Sequence, residues 1–393
     1  MARSMDQPER TITVRITDVK THVVGNPWKN WVFVQISTDE GLTGLGEATG
    51  SLATMPHQAD VEELKHVVLG EDPCHPERLF LKMVKARFFE RSVGIAAIEQ
   101  ACWDILGKSL NAPLWQIFGG QHHRQLRVYA NGWYRGPRDP GSFAERACEM
   151  VEKGYTALKF DPFGGAYKLI EPDSERLAVA IVAAIREAVG DEVDLLVEAH
   201  DRFTVSTAIR IGQQLEPYRP FWLETPVRSH DIEGTLAVQQ ALSYPVAVGE
   251  MLTEPRQFSD LLAHRVVDII QPEPMSLGPS TTRKVFAVAD VYDASVACHQ
   301  AQSPFCTAMN AHHHCSIPNF LIQECFDDSL EPWTWDVLEG VPRVENGYLV
   351  PSDAPGWGVT LDEREAAKHP YHEGNRLRLF EEGWEKRRPT EGG

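Results

Sequence analysis

Cysteine is scarce in this chain of 393 residues, and its seven copies include no Cys-x-x-Cys pair. An odd number without paired spacing argues against a disulfide framework and against a zinc site built from thiolates. The chain also has no run approaching the roughly 18 uncharged apolar residues of a membrane span, and its N-terminus carries no apolar signal segment. We therefore expect a cytoplasmic protein with reduced thiols and no membrane partner.

Positive charge is in deficit, because 38 Lys and Arg face 56 Asp and Glu, which gives a formal net charge of −18. The mean electrostatic field of such a protein repels phosphate backbones and anionic lipid surfaces. Nucleic acid is therefore not an expected partner. If the substrate is itself an anion, a cation inside the site must overcome this field locally, and a bound metal ion would do so.

Several catalytic motifs are also missing. Neither a Gly-x-Ser-x-Gly nor a Walker A sequence is present, which leaves serine-hydrolase and P-loop interpretations without support. Gly44 and Gly46 resemble the start of a dinucleotide-binding loop, but the third glycine, Gly50, comes one residue late. An NAD site is therefore not expected.

The first third of the chain predicts a small α+β domain. Alternating residues over 12–22 and the run WVFVQIS at 31–37 are typical of strands, and Asp39-Glu40-Gly41 indicates a hairpin between strands. From Ser92, a predicted N-cap, apolar residues recur at helical spacing as far as Gly107. We assign residues 1–126 to this domain.

From residue 127 to 329 the pattern changes to short apolar strands alternating with amphipathic helical stretches. This alternation is typical of βα units around a parallel sheet and predicts an α/β fold, a (β/α)8 barrel of the TIM type. The eight predicted strands span 127–133, 157–162, 194–200, 220–227, 245–250, 267–274, 294–300 and 319–324. We assign the segment 330–393, with a predicted hairpin at 345–347 and a frayed end at 387–393, back to the first domain.

Polar residues collect at the C-terminal ends of the predicted strands, the face where such barrels build their active sites. Glu198, Glu224 and Glu250 follow apolar runs on three consecutive strands and are 26 residues apart each time. Neighbouring strands would deliver three carboxylates to one small volume, where a hard cation relieves their repulsion. An all-oxygen set without cysteine favours Mg²⁺ over Zn²⁺. By contrast, His312–His314 lacks matched acidic or cysteine partners, and we expect a helix start on the barrel rim there.

With these residues in place, the chain resembles the enolase superfamily in its mandelate-racemase-like branch, and most closely its galactonate-dehydratase-like acid-sugar dehydratases. The resemblance covers nearly the whole chain, and the order and spacing of its motifs match. It implies a capping α+β domain over a modified barrel, Mg²⁺ on the three glutamates and abstraction of the proton α to a substrate carboxylate. The motifs are NWVFVQISTDEGLTGLGEAT, GIAAIEQACWDILGK, LWQIFGG, ALKFDPFG, VEAHDRF, LEPYRPFWLETPV, VGE, DIIQPEP, CHQ and NFLIQE.

The resemblance also implies the catalytic residues. His299 corresponds to the general base on the seventh strand, and it is oriented by an acidic residue on the sixth, where the family usually has Asp and this chain has Glu273. His200 corresponds to the general acid that protonates the departing β-hydroxyl. Glu324 corresponds to the eighth-strand acid that hydrogen-bonds the carboxylate of the intermediate. The extra methylene of Glu273 requires either a different backbone position or a looser contact with His299.

Five residues are predicted to bind substrate. Lys159 and Asp161 occupy the second-strand position where racemases of this branch place another base, and we favour substrate binding because His200 already offers a proton. Lys159 as a second base would instead permit epimerisation. Arg202 lies beside His200, and Trp28 and Asn30 belong to a segment of the capping domain that resembles the mobile lid of the family.

We therefore predict a Mg²⁺-dependent dehydratase of an aldonate such as galactonate or gluconate, which yields a 2-keto-3-deoxy acid. An epimerase or cycloisomerase on the same scaffold is the alternative enzyme, and a catalytically silent paralogue that binds metal and an acid is the alternative of another class. The resemblance further suggests a homo-oligomer, either a dimer or an octamer.

Overall fold

A computed structural model describes residues 14–50, 53–381 and 383–384. The first part is an antiparallel three-stranded sheet in the order β1-β2-β3, with helices packed against it. The predicted hairpin and the helix beginning at Ser92 are both confirmed, and Ser92 accepts a hydrogen bond from the backbone of Ile95. Its elements are β1 (Ile16–Gly25), β2 (Asn30–Thr38), β3 (Thr43–Glu47), α1 (Thr54–Val68), α2 (Pro76–Ala86), α3 (Val93–Ser109) and α4 (Leu114–Ile117).

The second part is a ring of parallel strands surrounded by helices. Its strands are β4 (Leu126–Ala130), β5 (Ala157–Phe160), β6 (Asp194–Glu198), β7 (Trp222–Glu224), β8 (Val246–Val248), β9 (Ile269–Ile270), β10 (Ser295–Val296) and β11 (Gln323–Cys325). Its helices are α5 (Pro140–Glu152), α6 (Pro172–Val189), α7 (Val205–Leu215), α8 (Ile232–Ala241), α9 (Pro255–Ala263), α10 (Pro274–Leu277), α11 (Pro279–Val291) and α12 (Pro304–Cys315), and a 3₁₀ turn at Glu216–Tyr218 follows α7.

The parallel ladder runs in the order β10-β9-β8-β7-β6-β5-β4-β11, so the last strand pairs with the first. A single parallel bridge between Val296 and Phe320 joins its two ends. The predicted modified (β/α)8 barrel with an α+β capping domain is therefore confirmed. The strands are shorter than predicted, because the predicted ranges overrun their C-terminal ends into the loops that carry His200, Glu250, Glu273 and His299.

The chain after residue 326 contacts both parts. A buried cluster contains Trp31 of the cap together with Val337 and Trp357, whereas Tyr348 and Leu349 pair antiparallel with β4 of the barrel. The predicted turn at 345–347 is present, since Asn346 and Gly347 both have positive φ, as in a two-residue hairpin turn. The predicted frayed end lies outside the described residues. The elements are a 3₁₀ turn (Asp327–Ser329), α13 (Thr334–Val337), β12 (Leu338–Glu339), β13 (Tyr348–Leu349), β14 (Thr360–Leu361) and α14 (Glu363–Ala366).

The histidine triplet is placed differently from the prediction. His312, His313 and His314 form the last turn of α12, not a helix start, and all three are fully buried. Burial lowers the pKa of His312 and of His314 to about 4, so these rings are neutral packing residues. In the part of the chain that the structure describes, no helix is long and apolar enough to cross a bilayer.

Candidate active site

The barrel interior is filled by one apolar side chain from each strand region. These are Tyr129, Ala157, Leu196, Trp222, Ala247, Ile269, Ala297 and Ile322. Strand side chains repeat every two residues, so the residue two positions further on points to the same side, nearer the open end. This period places the following polar residues at the mouth: Asn131, Lys159, Glu198, Glu224, Gln271, His299 and Glu324.

Glu250 breaks the period, because it stands three residues after Ala247. Gly249 turns the backbone so that the side chain of Glu250 faces the mouth. Its φ of +145° lies in a region that L side chains rarely adopt. A Cβ at this position would lie 2.9 Å from the backbone nitrogen of Gln271. Gly249 therefore both turns Glu250 into the site and permits close approach of the neighbouring strand.

The three glutamates predicted as metal ligands lie together. Glu198 and Glu224 end β6 and β7 and pair directly in the sheet register. Each of Glu198, Glu224 and Glu250 offers a carboxylate oxygen within 4.8 Å of the others. Glu198 and Glu224 are buried, whereas the side chain of Glu250 remains 11% exposed toward the mouth.

Lys159 supplies positive charge to this cluster. Its Nζ lies 2.5 Å from Glu224 Oε1, 2.9 Å from Glu324 Oε1 and 3.2 Å from Glu198 Oε2. Burial alone would lower the pKa of Lys159, but the charges of Glu224 and Glu324 outweigh it and raise the pKa well above its usual value. The lysine is therefore an ammonium ion held by three carboxylates.

The single positive charge of Lys159 does not balance the negative charge of the glutamates. Burial and the charge of Glu198 raise the pKa of Glu224 to about 8, and burial also raises that of Glu198. Glu198 Oε2 is buried without a hydrogen-bond partner among the described residues. Converging carboxylate oxygens that carry more negative charge than one ammonium neutralises fit a hard divalent cation with open coordination positions.

His299 stands at the Glu250 side of the cluster. Its Nδ1 lies 2.5 Å from Glu273 Oε2, and its Nε2 lies 3.2 Å from Glu250 Oε2. Burial would lower the pKa of His299, but the charges of Glu250 and Glu273 outweigh burial and raise the pKa to about 10. The extra methylene of Glu273 therefore does not loosen its contact with His299, and Glu273 lies in the loop beyond β9.

His200 stands at the Glu198 side, where its backbone nitrogen donates to Glu198 Oε1 at 2.6 Å. Its Nδ1 lies 2.7 Å from Asp161 Oδ2, which also accepts a hydrogen bond from Arg202. The backbone of His200 and of Asp201 has positive φ, and so has that of Thr225 after β7. Non-glycine residues held in this region store strain and cluster at functional sites.

Asp161 and Arg202 are buried behind His200. Burial opposes ionisation of Asp161, but the guanidinium of Arg202 and the ring of His200 lower its pKa below the usual value. Arg202 also donates to the carbonyls of Ala199 and Gly164. Because both side chains are enclosed by protein partners, the geometry favours a role for Asp161 and Arg202 in positioning His200 rather than in contacting the substrate.

The predicted lid residues are packed onto other parts of the molecule. Trp28 stacks on Phe326 and donates from Nε1 to the carbonyl of Ala301 at 3.3 Å. The Asn30 amide donates to the carbonyls of His372 and Asn375 and accepts from the backbone of His372. Trp28 thus lies on the barrel, and Asn30 holds the C-terminal segment.

Sequence reasoning missed two residues beside the site. Asn131 donates to Glu324 Oε1 at 2.7 Å, and the strand period that placed Glu324 also places Asn131. Trp384 packs edge-on against the ring of His200, with ring centroids 6.2 Å apart. No local pattern places Trp384 there, because the contact depends on the path of the C-terminal segment across the barrel.

Comparisons with known proteins agree with this architecture. Residues 10–119 match the N-terminal domain family of mandelate racemase / muconate lactonizing enzyme, and residues 142–366 match the family described as enolase C-terminal domain-like. A D-gluconate dehydratase of Thermoproteus tenax is 35% identical over 349 residues, covering 87% of this chain and 70% of the relative.

A D-gluconate/D-galactonate dehydratase of Picrophilus torridus is 33% identical over 366 residues, covering 91% of this chain and 93% of the relative. Among solved structures, a mandelate racemase/muconate lactonizing enzyme-like protein from Roseovarius sp. TM1035 superposes with a TM-score of 0.86 at 34% identity. That match covers 93% of this chain and 98% of the other.

Proposed function

Because the chain belongs to the mandelate racemase / muconate lactonizing enzyme family, with an enolase C-terminal domain-like barrel, we propose that it is a metal-dependent dehydratase of aldonates such as gluconate or galactonate. Members of the enolase superfamily use a divalent metal, typically Mg²⁺. The observation that carries the proposal is a three-glutamate cluster flanked by two histidines, each with a carboxylate behind its Nδ1.

Glu198, Glu224 and Glu250 are the residues that would hold Mg²⁺. Their oxygens converge, and the ammonium of Lys159 alone does not neutralise the charge of these carboxylates. A bound Mg²⁺ would withdraw charge from the substrate carboxylate and so make the adjacent C–H acidic, which is the known role of the metal in enolase-superfamily sites. The same ion would offset the excess negative charge of the cluster.

His299 is the proposed general base. Its Nδ1 is held by Glu273, which leaves Nε2 to take the proton from the carbon next to the substrate carboxylate. A metal ion bound to Glu250 would offset the negative charge that this carboxylate places beside Nε2. It would thereby favour the unprotonated ring that a base requires.

His200 is the proposed general acid. The ionised carboxylate of Asp161 accepts a hydrogen bond from Nδ1 and orients the ring, so that the imidazolium form of His200 presents the proton on Nε2 to the leaving β-hydroxyl and becomes the neutral ring. Loss of water gives an enol that converts to a 2-keto-3-deoxy acid. Asp161 and Arg202 act as positioning residues, and Trp384 forms the wall beside the ring.

Glu324 is proposed to bind the carboxylate end of the intermediate. Its oxygens already accept from Asn131, from Lys159 and from the backbone of Gln300. Burial opposes ionisation of Glu324, whereas the charges of Lys159 and His299 lower its pKa below the usual value, so Glu324 must take up a proton to hydrogen-bond the carboxylate oxygen of the intermediate. Lys159 contributes to substrate binding through its charge. Its ion pairs keep it protonated, which disfavours Lys159 as the second base that an epimerase would need.

NMR in D₂O with Mg²⁺ and a panel of aldonates and aldarates tests the proposal. Dehydration removes one hydroxyl and places solvent deuterium at C3 of a 2-keto-3-deoxy acid. Deuterium at C2 without loss of a hydroxyl would show an epimerase instead. Retained Mg²⁺ binding with no chemistry on any compound would show a silent paralogue. We further propose a cytoplasmic homo-oligomer, a dimer or octamer, which sedimentation analysis would resolve.

A further inference from the structure

The loop that follows His299 is held by the capping domain. Lys29 Nζ donates to Gln302 Oε1 at 3.0 Å, and Trp28 contacts the neighbouring carbonyl of Ala301. On the other side, Ser303 donates from its backbone and its hydroxyl to Glu47 of β3. Residues 301–303 are therefore held through side chains that come from two segments of the cap.

Gln302 continues this connection to the proposed base. Its Nε2 donates to Glu273 Oε2 at 3.4 Å, and the same oxygen lies 2.5 Å from His299 Nδ1. The contacts form an unbroken chain from Lys29 through Gln302 and Glu273 to His299. All four side chains lie at the cap–barrel boundary, and Lys29, Gln302 and Glu273 are at least nine-tenths buried.

Both oxygens of Glu273 are engaged by different elements. Oε1 accepts from the backbone nitrogen of Met275 at the start of α10, at 3.3 Å. Oε2 is shared by Gln302 and His299. The longer side chain that stands where the family usually has Asp is thus fixed at two atoms.

The burial of Lys29 needs an explanation, because an ammonium ion is costly to bury without compensation. Burial lowers the pKa of Lys29, and the nearby carboxylates of Glu273 and Glu47 oppose this effect. Lys29 Nζ donates its hydrogen bond to Gln302 Oε1. Lys29 Nζ therefore reaches the acidic partner of the base through Gln302.

We propose that Lys29 and Gln302 are positioning residues, which hold Glu273 against His299 and make the alignment of the base depend on docking of the loop at 28–31. This inference rests on the proposed function, since it assigns Lys29 and Gln302 to the base of that reaction. Neither residue needs to touch the substrate. Loss of either one releases Glu273 Oε2 and lets the ring of His299 turn.

The kinetic test uses the full chain with Mg²⁺ and its best aldonate. We compare Lys29→Met, Lys29→Arg and Gln302→Leu with Lys65→Met, which removes a capping-domain lysine paired with Asp18 away from the site. Misplacement of a catalytic group by about 1 Å costs up to roughly 100-fold in rate, so we expect Lys29→Met and Gln302→Leu to lower kcat by about 10- to 100-fold with KM nearly unchanged.

Lys29→Arg should restore most of kcat, and Lys65→Met should match the wild type. The double variant Lys29→Met/Gln302→Leu should be no slower than the worse single variant, because both changes break one chain. The inference would be overturned if the losses of kcat in the two single variants multiply in the double variant, or if kcat is unchanged in Lys29→Met. It would also be overturned if Lys29→Met raises KM at constant kcat. The last result would identify Lys29 as a substrate-binding residue.

A second readout does not depend on the reaction. In crystals of the Mg²⁺-loaded wild type, Glu273 Oε2 should contact His299 Nδ1, and in Lys29→Met this contact should be broken. If the wild type dehydrates no aldonate but the contact breaks as expected, the proposed function fails and the positioning role stands. If the contact survives in Lys29→Met, the positioning role fails whatever the activity.

Discussion

Replacement of Lys159 by Met should lower the stability of the folded protein by an amount that follows from the contacts of Lys159 Nζ. The change removes an ammonium ion that lies within 3.2 Å of Glu198, Glu224 and Glu324, and it leaves these three buried carboxylates without their shared ion-pair partner. Breaking a buried ion pair by removing one partner costs about 3–5 kcal/mol. For a barrel of this size we expect Tm in EDTA to fall on the order of 10 °C.

Mg²⁺ should reverse much of this loss. In the wild type the metal must displace the ammonium of Lys159 from the carboxylates, whereas in Lys159→Met it meets no competitor. Each tenfold gain in affinity adds about 1.4 kcal/mol of stabilisation at saturating metal. Thermal unfolding with EDTA and with Mg²⁺, and Lys65→Met as the control, measures the difference. Equal stability in EDTA, or an equal gain from Mg²⁺ in both proteins, would refute the reasoning.

Three further predictions concern single residues. His299→Asn should abolish exchange of the α-proton while Mg²⁺ affinity stays within a few fold, and full exchange in this variant would exclude His299 as the base. Gly249→Ala should weaken Mg²⁺ binding by roughly 10-fold or more because it redirects Glu250, whereas Gly41→Ala, also at positive φ but in open space, should not. Burial raises the pKa of Glu99 to about 7, so its contribution to stability is complete below pH 4.5 and is lost as pH rises through 7. Glu99→Gln should therefore gain about 3 kcal/mol relative to the wild type between pH 4.5 and 8 in chemical unfolding, and a pH-independent difference would contradict the assignment.

The barrel and most of its mouth could be predicted because both follow from local periodicity. Short apolar runs separated by helical stretches define the βα units, and the two-residue period places Glu198 and Glu224 two positions beyond interior residues. Equal spacing along the chain then brings carboxylates from adjacent strands together. These features depend on residue type and position alone.

The remaining features depend on contacts that no local pattern encodes. Glu250 reaches the cluster because Gly249 adopts a backbone conformation that a strand pattern does not predict. Arg202 and Asn30 are predicted to bind substrate because of their place in the motifs, but tertiary packing encloses both side chains. Trp384 comes to His200 from the C-terminal segment, and the histidines of α12 are buried because His312 accepts from the backbone of Trp115, His313 stacks on Phe118 and His314 pairs with Gln323.

Crystals grown with Mn²⁺ in place of Mg²⁺ give the most direct test of the central claim, since the anomalous signal of Mn²⁺ locates the ion without assumptions about the ligands. We predict one strong anomalous peak bounded by oxygens of Glu198, Glu224 and Glu250, with Lys159 moved away from at least one of these carboxylates. Diffraction from saturated crystals that shows no peak there, with Lys159 still paired to Glu198 and Glu224, would contradict the account.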